Sequence, residues 1–136
     1  MPIRGLNIAL ADVEKRVYEV AHQRATARVA QVLGFAISRW PVGDQPAWRT
    51  RPHSRDLFYA VDKSDGRSRV HITIQNRARD KRGTPYAFYI RSHQVPGAGA
   101  SRTGMLNAWL ILVRRPTLAA VKKLAEATAR DPLGRG

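Results

Sequence analysis

There is no cysteine among the 136 residues. That removes disulfides, thiol nucleophiles and thiolate metal sites together. Acids are scarce as well: 10 Asp+Glu stand against 24 Lys+Arg, a formal charge of +14 at pH 7. A two-metal nuclease needs several carboxylates converging on one point, because each divalent ion must be neutralised by oxygen ligands. Here Asp56 and Asp62 fall near opposite ends of one strand candidate, and Asp65 is more economically a turn residue. Long apolar runs are missing too. The longest, residues 108–113, is far short of the roughly 20 residues a membrane span needs. The opening Met1-Pro2-Ile3-Arg4-Gly5 holds no signal-peptide apolar stretch, so the expectation is a chain made and kept in the cytoplasm.

Catalytic patterns are equally sparse. The four histidines, His22, His53, His71 and His93, show no i, i+4 or His-x-His spacing, and none has a carboxylate beside it in sequence. His71 and His93 fall on the polar sides of two strand candidates and could approach each other, but exposed sheet histidines are the simpler account. Ser54 and Ser68 have no nucleophile-elbow context, and no glycine pattern forms a phosphate-binding loop. Zinc fingers, basic-region heptads and the full aromatic signature of an RNA-recognition motif are absent. The expectation is therefore no catalytic residue, no metal, no cofactor and no enzyme.

What the chain does have is size for one domain, an ordinary apolar fraction of 43%, and unevenly placed positive charge. Residues 45–115 carry 14 basic residues against four acids (Asp56, Asp62, Asp65, Asp80), a net +10. Such a surface attracts nucleic acid or an acidic protein partner through long-range, salt-sensitive electrostatics.

The pattern predicts an α+β fold, with a long N-terminal helix and a C-terminal helix packed on a mainly antiparallel sheet of about four strands. The long helix covers residues 7–39. Apolar or small residues recur at Leu10, Val13, Val17, Ala21, Ala25, Val29, Val32, Ala36 and Trp40, in steps of three or four. The mean step slightly exceeds 3.6, so the stripe drifts around the helix, as suits a helix that packs on its own sheet at one end and on another body further along. Trp40-Pro41 stops it, since a residue before proline is pushed out of the α region, and these two form the expected structural corner with Trp40 packed. The sheet region, residues 56–114, begins with a strand over 56–61 and an Asp65-Gly66 turn. In the second strand Val70, Ile72 and Ile74 alternate with Arg69, His71, Thr73 and Gln75. The third turns Tyr86, Phe88 and Ile90 inward and Ala87, Tyr89, Arg91 and His93 outward. Residues 106–114 read as a buried strand, although pattern alone does not separate this from a short helix. Pro116 opens a closing helix over 116–130, with Leu118, Val121, Leu124 and Ala125 as its inner face. Residues 131–136 are expected to fray. Loops over 43–55, 77–84 and 94–104 are expected to meet partners. Arg49, Arg51, Arg55, Arg77, Arg79, Lys81 and Arg82 are the candidate basic, partner- or DNA-facing residues.

The order of these elements carries a resemblance. The long helix is followed by Ser38-Arg39-Trp40-Pro41-Val42-Gly43-Asp44, then Ser54-Arg55-Asp56-Leu57-Phe58-Tyr59, then Val70 to Asn76, then Pro85-Tyr86-Ala87-Phe88-Tyr89-Ile90. This resembles the tail-completion, or head–tail joining, family of neck proteins of long-tailed bacteriophages. In that family a long helix ends at a pro-val-asp-thr-gly turn, and a later strand reads tyr-ala-x-tyr-(ile/val)-glu. Gly43-Asp44 stands where the family has Asp-Thr-Gly, and Arg91 stands where an acid is common. The resemblance covers about residues 7 to 93. It implies a structural virion protein in the neck: a homo-oligomeric ring, six-fold or else dodecameric, with genomic DNA passing through its lumen. Its neighbours would be head connector or stopper proteins on one side and tail terminator or tail tube proteins on the other. The alternative from another class is a monomeric basic nucleic-acid-binding module.

Overall fold

In the computed structural model, which describes residues 2–41, 54–90 and 107–135, the first apolar periodicity becomes one helix, α1 (Pro2–Arg39). Its side chains are described from Leu10 onward. At 1.5 Å per residue α1 is about 57 Å long, nearly twice the span of a small domain. Val32, Ala36 and Trp40 of the expected stripe are buried, as is Val20, while Leu10 and Val13, nearer the start of the helix, stay exposed. The chain leaves the helix at Trp40, ahead of Pro41.

The sheet is smaller than the sequence pattern suggests. Among the described residues it has two antiparallel strands, β1 (Phe58–Asp62) and β2 (Ile72–Asn76), in register from Phe58 opposite Asn76 to Asp62 opposite Ile72. A short 3-10 turn, Ser54–Leu57, leads into β1. Between the strands Gly66 takes a φ of 78°, the left-handed conformation expected at Asp65-Gly66. Asp65 holds this loop by accepting the amides of Arg67, Ser68 and Arg69 on Oδ1 at 2.8, 2.8 and 2.9 Å.

Two expected strands differ. Within 86–90 the chain makes a 3-10 turn, Ala87–Tyr89, after a single bridge between Arg79 and Pro85. The inward residues are Ala87 and Ile90, three apart, which is the 3-10 period; Phe88 and Tyr89 are exposed, Tyr89 by 77%. Five residues of alternating aromatics fit period two and period three almost equally well. Arg91 and His93 lie outside the described residues. The apolar run over 108–114 is helical: it passes through a π turn, Leu110–Arg114, into α2 (Arg115–Arg130). The Arg115 amide reaches back five residues to the Leu110 carbonyl. The wider turn meets a need, because Pro116 donates no hydrogen bond and its ring would press on the carbonyl four residues earlier. The Thr117 hydroxyl donates to the Val113 carbonyl at 2.6 Å beside it.

The core gathers Ala36 and Trp40 at the end of the first helix, Ala87 of the 3-10 turn, Ala108 just ahead of the π turn, and Leu112 and Val113 within it. The three alanines let backbones approach, and large rings fill what remains. Trp40 meets Phe58 edge-on at 4.8 Å between centroids and Trp109 at 6.4 Å, and Phe88 tilts over Trp109 at 4.3 Å.

The other end of the molecule holds two further differences. The residues expected to face inward from α2 do not: Leu118 is 60% and Val121 55% exposed, Ala125 is exposed, and Leu124 is only half-buried. An amphipathic pattern says which face is apolar, not that the same chain covers it. Residues 131–135 are docked rather than frayed. Arg24 of α1 donates to the Ala127 carbonyl at 3.4 Å and to Asp131 at 3.2 Å, closing the C-terminus of α2, and Arg16 donates to the Leu133 carbonyl at 3.3 Å. No described helix is long and apolar enough to cross a membrane.

Candidate functional site

Of the seven candidate basic residues, Arg49 and Arg51 lie outside the described residues, as do the loops over 43–53 and 94–104. Arg55 sits 3.8 Å from Asp56, which offsets its charge. The remaining four, Arg77, Arg79, Lys81 and Arg82, are brought together on one small hairpin, and all four are exposed.

This hairpin is built. Asp80 Oδ1 accepts the amides of Arg82 and Thr84 at 2.8 and 2.9 Å. The Asp80 amide donates to the Thr84 carbonyl at 2.9 Å, and the Gly83 amide to the Asp80 carbonyl at 3.0 Å. Gly83 adopts a φ of 81°, which a side chain would resist. The Arg79 guanidinium donates to the Gly83 carbonyl at 2.8 Å, bracing the turn from its own side. Arg77 lies 4.2 Å over the Tyr59 ring, a cation–π contact that fixes its plane against the sheet. Lys81 and Arg82 are left at the tip, so the turn displays cations from a backbone that is already ordered.

Its root is tied to the corner at Trp40. The Trp40 indole donates to the Ser54 hydroxyl at 2.9 Å, and the Asn76 amide group donates to the Ser54 carbonyl at 2.7 Å. Asn76 Oδ1 in turn accepts the amide of Ala78, which is buried directly below the turn. Ser54, Asn76 and Asp80 thus position the basic side chains, and the sequence reading assigned none of them that role. Asp80 left a readable signal, since Asp with Gly three residues later is a turn pattern. The links through Ser54 and Asn76 span 14 and 22 residues and leave no local trace.

The histidines separate. His22 Nε2 lies 2.6 Å from Asp62 Oδ2, joining α1 to the end of β1, and the His22 ring stacks near Tyr18. The Tyr18 hydroxyl accepts the Gly66 amide at 2.9 Å, so the helix also grips the β1–β2 turn. His71 is half-buried beside that turn, where its amide donates to Ser64 at 3.0 Å; His53 and His93 lie outside the described residues. Among the described residues no three His, Cys, Asp or Glu side chains converge as metal ligands would.

Asp62 is held down at about 2, from an ordinary 3.8, by the Ser64 hydroxyl first and then by the His22 ring and the Ser64 amide. Asp65 is also lowered, by the amides of Arg69, Arg67 and Ser68. A depressed carboxyl stabilises the fold above its unfolded pKa and loses that contribution as pH falls through the folded value. Between pH 3.8 and about 2 the melting temperature of the wild type is therefore expected to fall more steeply than that of Asp62→Asn. Parallel melting curves for the two proteins over that window would show that the clamp contributes nothing.

Besides the hairpin, an open apolar groove of about 440 Å³ runs between α1, β2 and α2, lined by residues that include Val29, Val32, Ile72, Trp109, Leu118 and Val121. Arg28 and Arg114 stand on it, and no acid lines it. Set against protein-family models, characterised proteins and solved structures, the chain finds no match in any of the three.

Proposed function

We propose that the protein is a ring-forming structural subunit of the neck of a long-tailed bacteriophage, joining the head connector to the tail. The virion neck is then its place of work, and no turnover is part of its role. The observation that carries this reading is the basic hairpin. Four cations are held side by side on an ordered turn, with Asp80 spent on the turn's own amides. An isolated domain gains nothing from that repulsion, whereas a polyanion beside it reverses the balance. DNA in a channel supplies one, and so does an acidic rim on an adjoining ring. The 38-residue helix α1 and the resemblance of residues 7 to 93 to tail-completion proteins support the same reading.

Replacing Arg77, Arg79, Lys81 and Arg82 together with glutamate is expected to leave the melting temperature within a few degrees, because none of the four is buried. It is expected to abolish joining of heads to tails in an assembly assay, with unjoined heads and tails accumulating. Normal yields of joined, infectious particles would sink the proposal. A monomer by native mass that binds duplex DNA at moderate salt and loses that binding in the same variant would favour the nucleic-acid-binding module instead.

A further inference from the structure

Two exposed apolar patches lie at opposite parts of the described chain, and they are complementary. One is the groove, whose outer lip is Leu118 and Val121, three residues apart on α2, 60% and 55% exposed. Its charged lining is Arg28 and Arg114, and neither makes an ion pair among the described residues. The other is the early part of α1, where Leu10 and Val13, also three apart, are 51% and 46% exposed. Glu14 borders that stripe, with one residue separating it from Asp12. This helical segment thus offers an apolar face with the Glu14 carboxylate at its border; of the cations that follow, Lys15 lies on the far side of the helix and Arg16 is turned to Glu19 and to the Leu133 carbonyl of its own chain. The walls of the groove include two helices, so a third helix can lie along them by ordinary side-chain interdigitation.

We infer that the groove between α1, β2 and α2 receives the early part of α1, around Leu10 and Val13, from a second copy of this chain, with Glu14 toward Arg28 and Arg114. The contact is head-to-tail: the patch given and the patch used differ, so each subunit offers one of each. Such a contact closes a ring where the rotation allows it and otherwise extends. The inference rests on the ring reading above and adds which surfaces make the ring.

Two variants of the full chain test it. Leu10→Asp/Val13→Asp removes the inserted stripe, and Leu118→Asp/Val121→Asp removes the lip of the groove. All four positions are exposed, so circular dichroism should show both variants folded. By native mass spectrometry the wild type is expected as a higher oligomer and each variant alone as a monomer. Mixed in equal amounts, they are expected to give a dimer and nothing larger, since one intact stripe meets one intact groove. Glu14→Arg in the wild-type background should weaken assembly at least tenfold, and Arg28→Glu/Arg114→Glu should restore it. A wild-type oligomer that survives either aspartate pair overturns this docking while leaving the ring itself intact. A mixture that stays monomeric overturns it as well. A wild type that is monomeric at every concentration overturns both the docking and the ring.

Discussion

Trp40→Ala is expected to cost ~3–5 kcal/mol of stability, the range for truncating a buried aromatic. Trp40 is 3% exposed and stands where four parts of the fold meet: the end of α1, the turn before β1, β1 itself and Trp109 just ahead of the π turn. Removing the indole takes away the edge contacts with Phe58 and Trp109 and leaves the Ser54 hydroxyl without its donor. Ser54 is itself buried, so water has poor access to the orphaned group. Trp40→Phe keeps most of the ring contact and should lose distinctly less. Urea unfolding of the three proteins measures the difference. A loss under about 1 kcal/mol for the alanine variant, the range of ordinary surface changes, would mean that the corner is not packed around this side chain.

Leu112→Ala is expected to fall in the upper part of the ~2–5 kcal/mol range for aliphatic truncations. Leu112 is 1% exposed, and the buried residues of its cluster include Ala36, Ala87 and Ala108. The cost of a cavity depends on how far its walls collapse, and methyl-sized neighbours have no side chain to send into the space. The π turn holding Leu112 is also hydrogen-bonded across five residues, which limits backbone adjustment. Leu112→Met, which nearly conserves volume, should cost less than ~1.5 kcal/mol. Equal losses for the two variants would show that the cluster is loose enough to refill the void.

These same elements show what could be read from the residues alone. The long helix, its end at Trp40-Pro41 and the Asp65-Gly66 turn are written locally, in a periodicity, a ring that fixes φ and a glycine at positive φ. The segments around Ala87 and Leu112 are not. A run of five or six residues rich in apolar side chains fits a strand, a 3-10 turn or a buried helix, and only its neighbours choose. Ala87 turned inward because the closely packed core admits an alanine there, leaving Phe88 over Trp109. The basic cluster was visible as composition, whereas the hydrogen bonds through Ser54 and Asn76 that hold it join distant parts of the chain and have no short-range signature. The exposed face of α2 was legible as apolar, but its exposure was not, since a partner surface and a core surface share one pattern.

The π turn at Leu110–Arg114 behaves as a one-residue insertion into an otherwise regular helix. Each residue in an α-helix advances roughly 100° around the axis. Deleting one residue within the turn would swing everything from Pro116 onward by about that angle. Leu112 and Val113 could keep their places in the core while Leu118 and Val121 turned away from β2. The angular setting of the outer apolar face is thus adjustable independently of the core, by the length of a single turn rather than by the identity of any side chain. Relatives that differ by one residue there would present the same two helices to a neighbour at a different azimuth.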